Sequence, residues 1–412
     1  METVKIDKYP TYKDSGVEWI EEVPSHWEVK KFKRVFYEIK KRSNPELNCG
    51  SISFGKVIYK DDEKIPESTK RSYQVVLKGD FLVNPLNLNY DLISLRIALS
   101  EIDVVVSSGY IVLSNLIKLD KTYYKYFLHR FDVAFMKLLG SGVRQTLNYN
   151  DIANCDLIFP PLQEQTAIAT FLDRKTAQIE KAISIKEKQI ELLKERRQIL
   201  IHHAVTRGLN PNVKMKDSGV EWIGEIPEHW EVKRLKFLCH ITTGSKNTED
   251  KIDGGKYPFF VRSQTPEAIN SYSFDGEAIL TAGDGAGVGK VFHYINGNFD
   301  FHQRVYKFSM FSEIEGLYLF HYSQSNVFNV ANLGTAKSTV DSLRLPLIQD
   351  FLVSFPLNIK EQEEIIYHIE NAGRKISSAL SIKEKEIEKL KEYKATLINS
   401  AVTGKIKVSQ DA

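Results

Sequence analysis

Cysteine is scarce: Cys49, Cys155 and Cys239 are far apart and odd in number, which gives neither a disulfide framework nor a CxxC metal pattern. They read as core or incidental thiols. Long apolar runs are absent, none approaching the roughly 18 residues of a membrane span. The opening stretch METVKIDKYPTYKDSG also lacks the apolar core of a secretion signal. The expected location is the cytoplasm. A strong charge of either sign is missing too, since 56 Lys and Arg against 53 Asp and Glu leave a formal net charge of +3. That balance neither supports nor excludes nucleic acid, whose footprint is a clustered patch and not a total.

What is present is ordinary globular composition, 42% hydrophobic and 26% charged, over 412 residues, with room for two or three domains. Organisation comes from one stretch, Gln163 to Thr206. Its seam residues recur at alternating spacings of four and three: Leu172, Thr176, Ile179, Ile183, Lys186, Ile190, Leu193, Arg197, Leu200 and Ala204. A shift of 197 residues reproduces the seam as Ile369, Gly373, Ile376, Leu380, Lys383, Ile387, Leu390, Lys394, Leu397 and Ala401. AISIKEKQIELLKE (182–195) and ALSIKEKEIEKLKE (379–392) agree at 11 of 14 places, which periodicity alone would not require. A helix of roughly 44 residues would be about 65 Å long. One such stripe could be bundle core; two copies far apart in the chain favour a paired coiled coil acting as a spacer. Outside the seam, Ile185, Ile199 and Ile201 suggest a docking face or packing against the chain's own domains.

A second duplication fixes the domain plan. KDSGVEWIEEVPSHWEVKKFK (13–33) and KDSGVEWIGEIPEHWEVKRLK (216–236) match at 16 of 21 positions, at an offset of 203. The repeat unit is therefore a leading block, a variable body and a long helix, the second body being six residues shorter. The expected boundaries are 1–160 and 208–356 for two domains, 161–207 and 357–405 for the helices, and 406–412 for a tail. The short Gly/Pro-punctuated link RGLNPNVKM (207–215) resembles the chain ends in length, so the architecture looks circular.

Each body reads as mixed α/β. The first has strand-like runs such as VVVSSGYIVL (104–113), then a helix near Thr122 to Leu139 closed by Gly140. The second has FFVRS (259–263), EAILTAGDG (277–285), KVFHY (290–294) and RVYKFSM (304–310) as strands, then a helix near Leu317 to Leu333 closed by Gly334. Polar basic loops follow, GSGVRQT (140–146) and GTAKST (334–339). Then come strands ending in proline and an EQ pair, LIFPPLQEQ (157–165) and LVSFPLNIKEQ (352–362).

Catalytic motifs are hard to find. The Pro160-Pro161 pair in FPPL is not the [DNS]PP[YFW] tetrapeptide of an adenine methyltransferase. GDGAGVGK (283–290) is glycine-rich, but it lacks a glycine five before Gly289 and a Ser/Thr after Lys290. It reads as a turn between strands, with a DNA-backbone loop as the alternative. Asp14 with Glu28 and Lys30, and Asp217 with Glu231 and Lys233, have the ExK spacing of Mg²⁺-dependent nucleases. ExK is common, however, and the copies lie in the duplicated support. Trp19, Trp27, Trp222 and Trp230 suit structural anchoring of that block. His202 and His203 point about 100° apart on a helix and cannot share a metal without outside ligands.

The duplicated KDSGVEWI and P.HWEVK blocks, the FPPLQEQ and FPLNIKEQ helix starts and the SIKEK.IE.LKE helices ending in AVT together resemble the specificity subunits of Type I restriction-modification systems. The resemblance covers nearly the whole chain. It implies a pseudo-twofold repeat in which two mixed α/β (α+β) target-recognition domains are joined by a long antiparallel two-helix coiled coil. It also implies a non-catalytic chain whose two domains each read half of a split double-stranded DNA site. The partners it implies are two methyltransferase subunits and, through them, restriction subunits. No cofactor is expected in this chain, with S-adenosylmethionine, ATP and Mg in the partners. A protein-binding coiled-coil adaptor and a self-contained nuclease are the rival readings.

For DNA contacts the sequence offers residue types. Arg144 and Gln145 in the first body align with Lys337 and Ser338 in the second, in a loop that both bodies keep polar. Lys56, Arg71, Arg96, Arg262, Lys290, Arg304 and Lys307 are further candidates, each of which could equally lie on a solvated strand face.

Overall fold

A computed structural model describes residues 7–61, 63, 65–86, 95–136, 146–334 and 343–408. The chain divides into two compact units, one formed by Met1–Ile185 with Glu386–Ala412 and the other by Lys186–Lys385. The first long helix, Leu162–Arg207, and the second, Ile359–Val402, each contribute a segment to both units.

In the first unit the leading block forms an antiparallel pair, Tyr12–Asp14 with Glu22–Pro24. Glu28–Lys31 then pairs antiparallel with Asp156–Phe159, the strand that runs into the first long helix. The body holds a four-stranded sheet in the order Phe36–Glu38, Ile111–Asn115, Phe81–Val83 and Ile97–Leu99. Beside it lie the hairpin Gly50–Ser53 with Lys56–Tyr59 and the pair Gln74–Val76 with Val104–Val106. The run 104–113 is thus two strands in different sheets, separated at the turn-forming Ser107, Ser108 and Gly109. The helix Lys121–Ala134 begins where Asp120 accepts the backbone N–H groups of Thr122 and Tyr123. It ends short of the expected Leu139, and Gly140 lies outside the described residues.

The second unit repeats this plan on a different sheet. Met215–Asp217 pairs with Glu225–Pro227, and Trp230–Arg234 pairs with Leu352–Pro356. Its body is a six-stranded sheet ordered His240–Thr243, Val305–Ser309, Phe274–Ala282, Phe292–Phe301, Tyr257–Phe260 and Glu267–Ile269. One pair, Tyr257–Phe260 with Phe292–Phe301, is parallel. The helix Gly316–Gly334 follows.

Both units fasten body to helix in the same way. Fully buried Trp27 donates its indole N–H to Glu164 at 3.0 Å, and fully buried Trp230 does the same to Glu361. Gln165 accepts from the Asp120 N–H and donates to the Pro160 carbonyl, while Gln362 accepts from the Glu315 N–H and donates to the Pro356 carbonyl. The EQ pair is therefore a clamp between helix start and body, satisfying buried polar groups that would be costly alone. At the other helix end, Tyr123 donates to the Val402 carbonyl at 2.8 Å and Tyr318 to the Val205 carbonyl at 3.0 Å. These carbonyls belong to final helical turns that lack intrahelical partners.

Each of these helix ends closes on a glycine at positive φ, Gly208 at +72° and Gly404 at +73°. A Cβ on Gly404 would meet Trp27 at 2.9 Å, and one on Gly208 would meet Trp230 at 3.3 Å. In the first residues of the tail, Ile406 joins the first core and Lys407 donates its N–H to the Asp7 carbonyl at 2.7 Å.

The helix seams are buried as the heptads require. In the first unit Leu172, Ile179, Leu397 and Ala401 share one core, with Ile183 and Leu390 against it, and Lys394 pairs with Glu180 at 2.7 Å. In the second unit Ala204 and Ile369 share a core with Leu200 against it, Ile376 is buried, and Ile190, Leu193 and Leu380 are half-buried. Ile387 is buried in the first unit. In both units the start of one helix lies by the end of the other, so the segments run antiparallel. Ile185 and Ile199 are exposed, and Ile201 packs against the second core. Among the described residues no helix is long and apolar enough to cross a membrane.

Candidate nucleic-acid interface

In the second unit several loops converge at one edge of the six-stranded sheet. The loop 283–289 joins Phe274–Ala282 to Phe292–Phe301 and is the expected turn between strands. Its glycines allow close approach: a Cβ on Gly287 would sit 2.6 Å from the Arg262 carbonyl oxygen, and one on Gly283 3.1 Å from that of Arg304. The loop therefore lies flush between two arginine-bearing segments and places Asp284 between their guanidinium groups. Arg262 Nη1 reaches Asp284 Oδ1 at 2.9 Å, and Arg304 Nε stands 3.7 Å from Oδ2.

Neighbouring groups complete this edge. Gln303 donates its backbone N–H to the Lys246 carbonyl at 2.8 Å and its side-chain amide to Asn247 Oδ1. Buried His302 accepts the Arg304 N–H on Nδ1 at 2.9 Å; burial, then the Arg262 cation, pushes its pKa below the ordinary range. Lys290 is exposed. Lys307 is a correction: this strand residue is only 7% exposed, its ammonium lying 3.5 Å from the centre of the Phe274 ring, and it does not present a free cation.

The first unit offers a different surface. Lys56 stands on the hairpin beside Phe54, which is 82% exposed at a positive φ of 45°. Between this hairpin, the body helix and the long helices lies a cleft of about 600 Å³. Lys56, Lys125, Arg130, Lys391 and Lys394 line it, against the carboxylates Glu101 and Glu180. The Arg130 Nε is buried without a hydrogen-bond partner among the described residues. Burial pushes the pKa of His129 in the same wall down to about 4, so it is neutral at ordinary pH. Arg71 is exposed and pairs with Glu67 one helical turn away, at 2.8 Å. Arg96 is the second correction. It is 6% exposed, and its Nε and backbone N–H both donate to the fully buried Asp132, at 2.8 and 2.7 Å. This arginine holds a strand to the body helix and does not face solvent.

Arg144, Gln145, Lys337 and Ser338 lie outside the described residues. The backbone that follows each loop is placed: Leu147 donates its N–H to the Pro85 carbonyl at 3.1 Å, and Leu343 to the Gly283 carbonyl at 2.9 Å. Asp284, Asn247 and Gln303 were not singled out by sequence reasoning. The signals were an acid replacing a glycine in the glycine-rich loop, and the amide side chains suited to adenine.

The carboxylates of the nuclease spacing are locally engaged. Asp14 accepts the Gly16 N–H at 2.8 Å, Glu28 pairs with Lys30, and Lys233 bridges Glu231 and Glu313 at 3.3 and 2.6 Å. His202 and His203 are exposed on the helix. Among the described residues no three His, Cys, Asp or Glu side chains are grouped to hold a metal.

The chain is 24% identical to the Type I restriction enzyme MjaVIII specificity subunit of Methanocaldococcus jannaschii, over 94% of each chain. Among solved structures, a chain described in the assembly and conformational transition of the type I R-M system superposes with a TM-score of 0.69 at 15% identity. That match covers 92% of this chain and 98% of that one. The HsdS subunit from Thermoanaerobacter tengcongensis gives 0.53 at 16% identity, covering 93% and 98%. Both share the fold. The type I restriction modification DNA specificity domain matches twice, over residues 24–192 and 227–392. The chain belongs to that family, as a non-catalytic specificity subunit with two target-recognition domains.

Proposed function

We propose that the two target-recognition domains read the two different halves of a bipartite double-stranded DNA site. The observation that carries this reading is the contrast between support and body. The clamps at Trp27–Glu164 and Trp230–Glu361 are the same bond at the same length, whereas the bodies they hold carry a four-stranded and a six-stranded sheet. Identical supports under unlike sheets suit two readers with different specificities. The candidate contacts are Arg144, Gln145, Lys56 and Arg71 in the first domain and Lys337, Ser338, Arg262, Lys290 and Arg304 in the second.

The long helices carry the partners. A specificity subunit assembles with other subunits of its system, and this chain's helices retain an apolar face for docking. Ile185, Leu192 and Ile199 recur every seven residues along the first long helix at 51%, 52% and 60% exposure. A soluble helix facing only water would not keep such a stripe. Its occupants are two methyltransferase subunits, with restriction subunits held through them. S-adenosylmethionine, ATP and Mg act on those partners, and the complex works in the cytoplasm.

Incubating the assembled complex with a pool of randomised duplexes tests the reading. Enrichment of a split motif supports it; a bound pool without sequence preference would favour a protein-binding adaptor.

A further inference from the structure

Two arginines sharing one carboxylate at the rim of the second domain do more than pair surface charge. We propose that Asp284 is a positioning residue that holds Arg262 as the reader of a guanine edge in the half-site of the second domain, an inference that rests on the two-reader function above. Guanine offers two acceptors, O6 and N7, to a guanidinium presented edge-on, and the discrimination depends on that group's direction. In this domain the direction is set. Asp284 takes one Nη1 donor of Arg262 at 2.9 Å, leaving its remaining donors for a ligand, and the side chain stays 45% exposed.

The local backbone is shaped to allow this. Gly287 lets the loop rest against the Arg262 carbonyl, and Gly283 donates its N–H to the Arg304 carbonyl at 2.8 Å. A side chain at Gly287 would push the Asp284 loop off the arginine segment. The carboxylate offsets one of the two positive charges, which weakens the cluster's pull on a phosphate while leaving the Arg262 fork in place. Arg304, 63% exposed on the other carboxylate oxygen, flanks the reader.

The test is methylated-base mapping in cells that express the full chain with its modification subunits and carry Arg262→Ala, Arg262→Lys or Asp284→Asn. The expected result is a wild-type split motif in which both Arg262 variants accept other bases at one guanine of one half. Preference there should fall about tenfold or more, with the other half intact. Asp284→Asn should relax the same position to a smaller degree. Lysine keeps the charge and loses the fork, so a wild-type motif with Arg262→Lys would show that no oriented fork is needed and overturn the proposal. A motif unchanged in all three variants, or uniform loss at every site with no position relaxed, would overturn it as well. A wild-type chain that directs no split motif would sink the functional reading itself, and the proposal with it.

Discussion

Trp27 and Glu164, 137 residues apart in sequence, meet in a 3.0 Å hydrogen bond that closes the first unit's leading block onto the start of its long helix. Burial alone would raise the Glu164 carboxyl. The donors on Trp27, Tyr9 and His26 outweigh that and hold its pKa below the usual carboxylate range. The anionic acceptor is therefore part of the fold; in the second unit Glu361 makes the matching contacts with Trp230 and His229.

Replacing Glu164 by Gln removes the charge and one acceptor while keeping the shape. The expected cost is about 1–3 kcal/mol in the first unit, with the indole donor left poorly satisfied. Since the folded carboxyl has a depressed pKa, its stabilisation is present above the unfolded carboxylate pKa and fades as pH falls through the folded one. Amide exchange mapped by peptide should show faster opening of residues 7–35 in Glu164→Gln. Unchanged protection would contradict the clamp.

Arg96→Ala should destabilise the first unit by about 3–5 kcal/mol, because it leaves Asp132 charged and uncompensated in the core. Arg71→Ala, which breaks only an exposed pair, should leave stability almost unchanged. Thermal or denaturant unfolding of the two variants decides it; equal stability would mean Arg96 is not a core tie.

His129 gives the first unit a pH dependence whose sign is fixed by burial. The folded state keeps the imidazole neutral to about 4, whereas the unfolded chain protonates near 6.5. Stability is therefore lost as pH falls from 6.5 toward 4, by on the order of 3 kcal/mol, and levels off below. His129→Asn should flatten that slope in denaturant titrations between these pH values. An unaltered slope would assign the dependence to other groups.

The features written as periodicity or duplication were legible before any coordinates. The seam from Leu172 to Leu200 is buried or half-buried at every apolar position, and the second seam likewise. The two leading blocks fold alike because the Trp and His residues of each meet the Glu at the start of its long helix. Solvent exposure was not legible. Arg96 and Lys307 have the residue type of a DNA contact, but a buried Asp132 and a Phe274 ring, distant in sequence, took them inside. The run 104–113 hid a change of sheet, since its apolar content is continuous across the turn. Asp284 looked like an acid in a turn. Its role emerges only where Arg262 and Arg304, 22 residues before it and 20 after, arrive on neighbouring segments.

The central claim is that each body reads its own half of the site. Its most direct test exchanges the first body, residues 36–159, for that of a related specificity subunit while leaving both clamps and both long helices intact, followed by methylated-base mapping in cells that hold the modification subunits. The account predicts a split adenine-methylated motif in which one half changes and the other, assigned to the second body, stays the same. A motif that changes in both halves, or in neither, would contradict it.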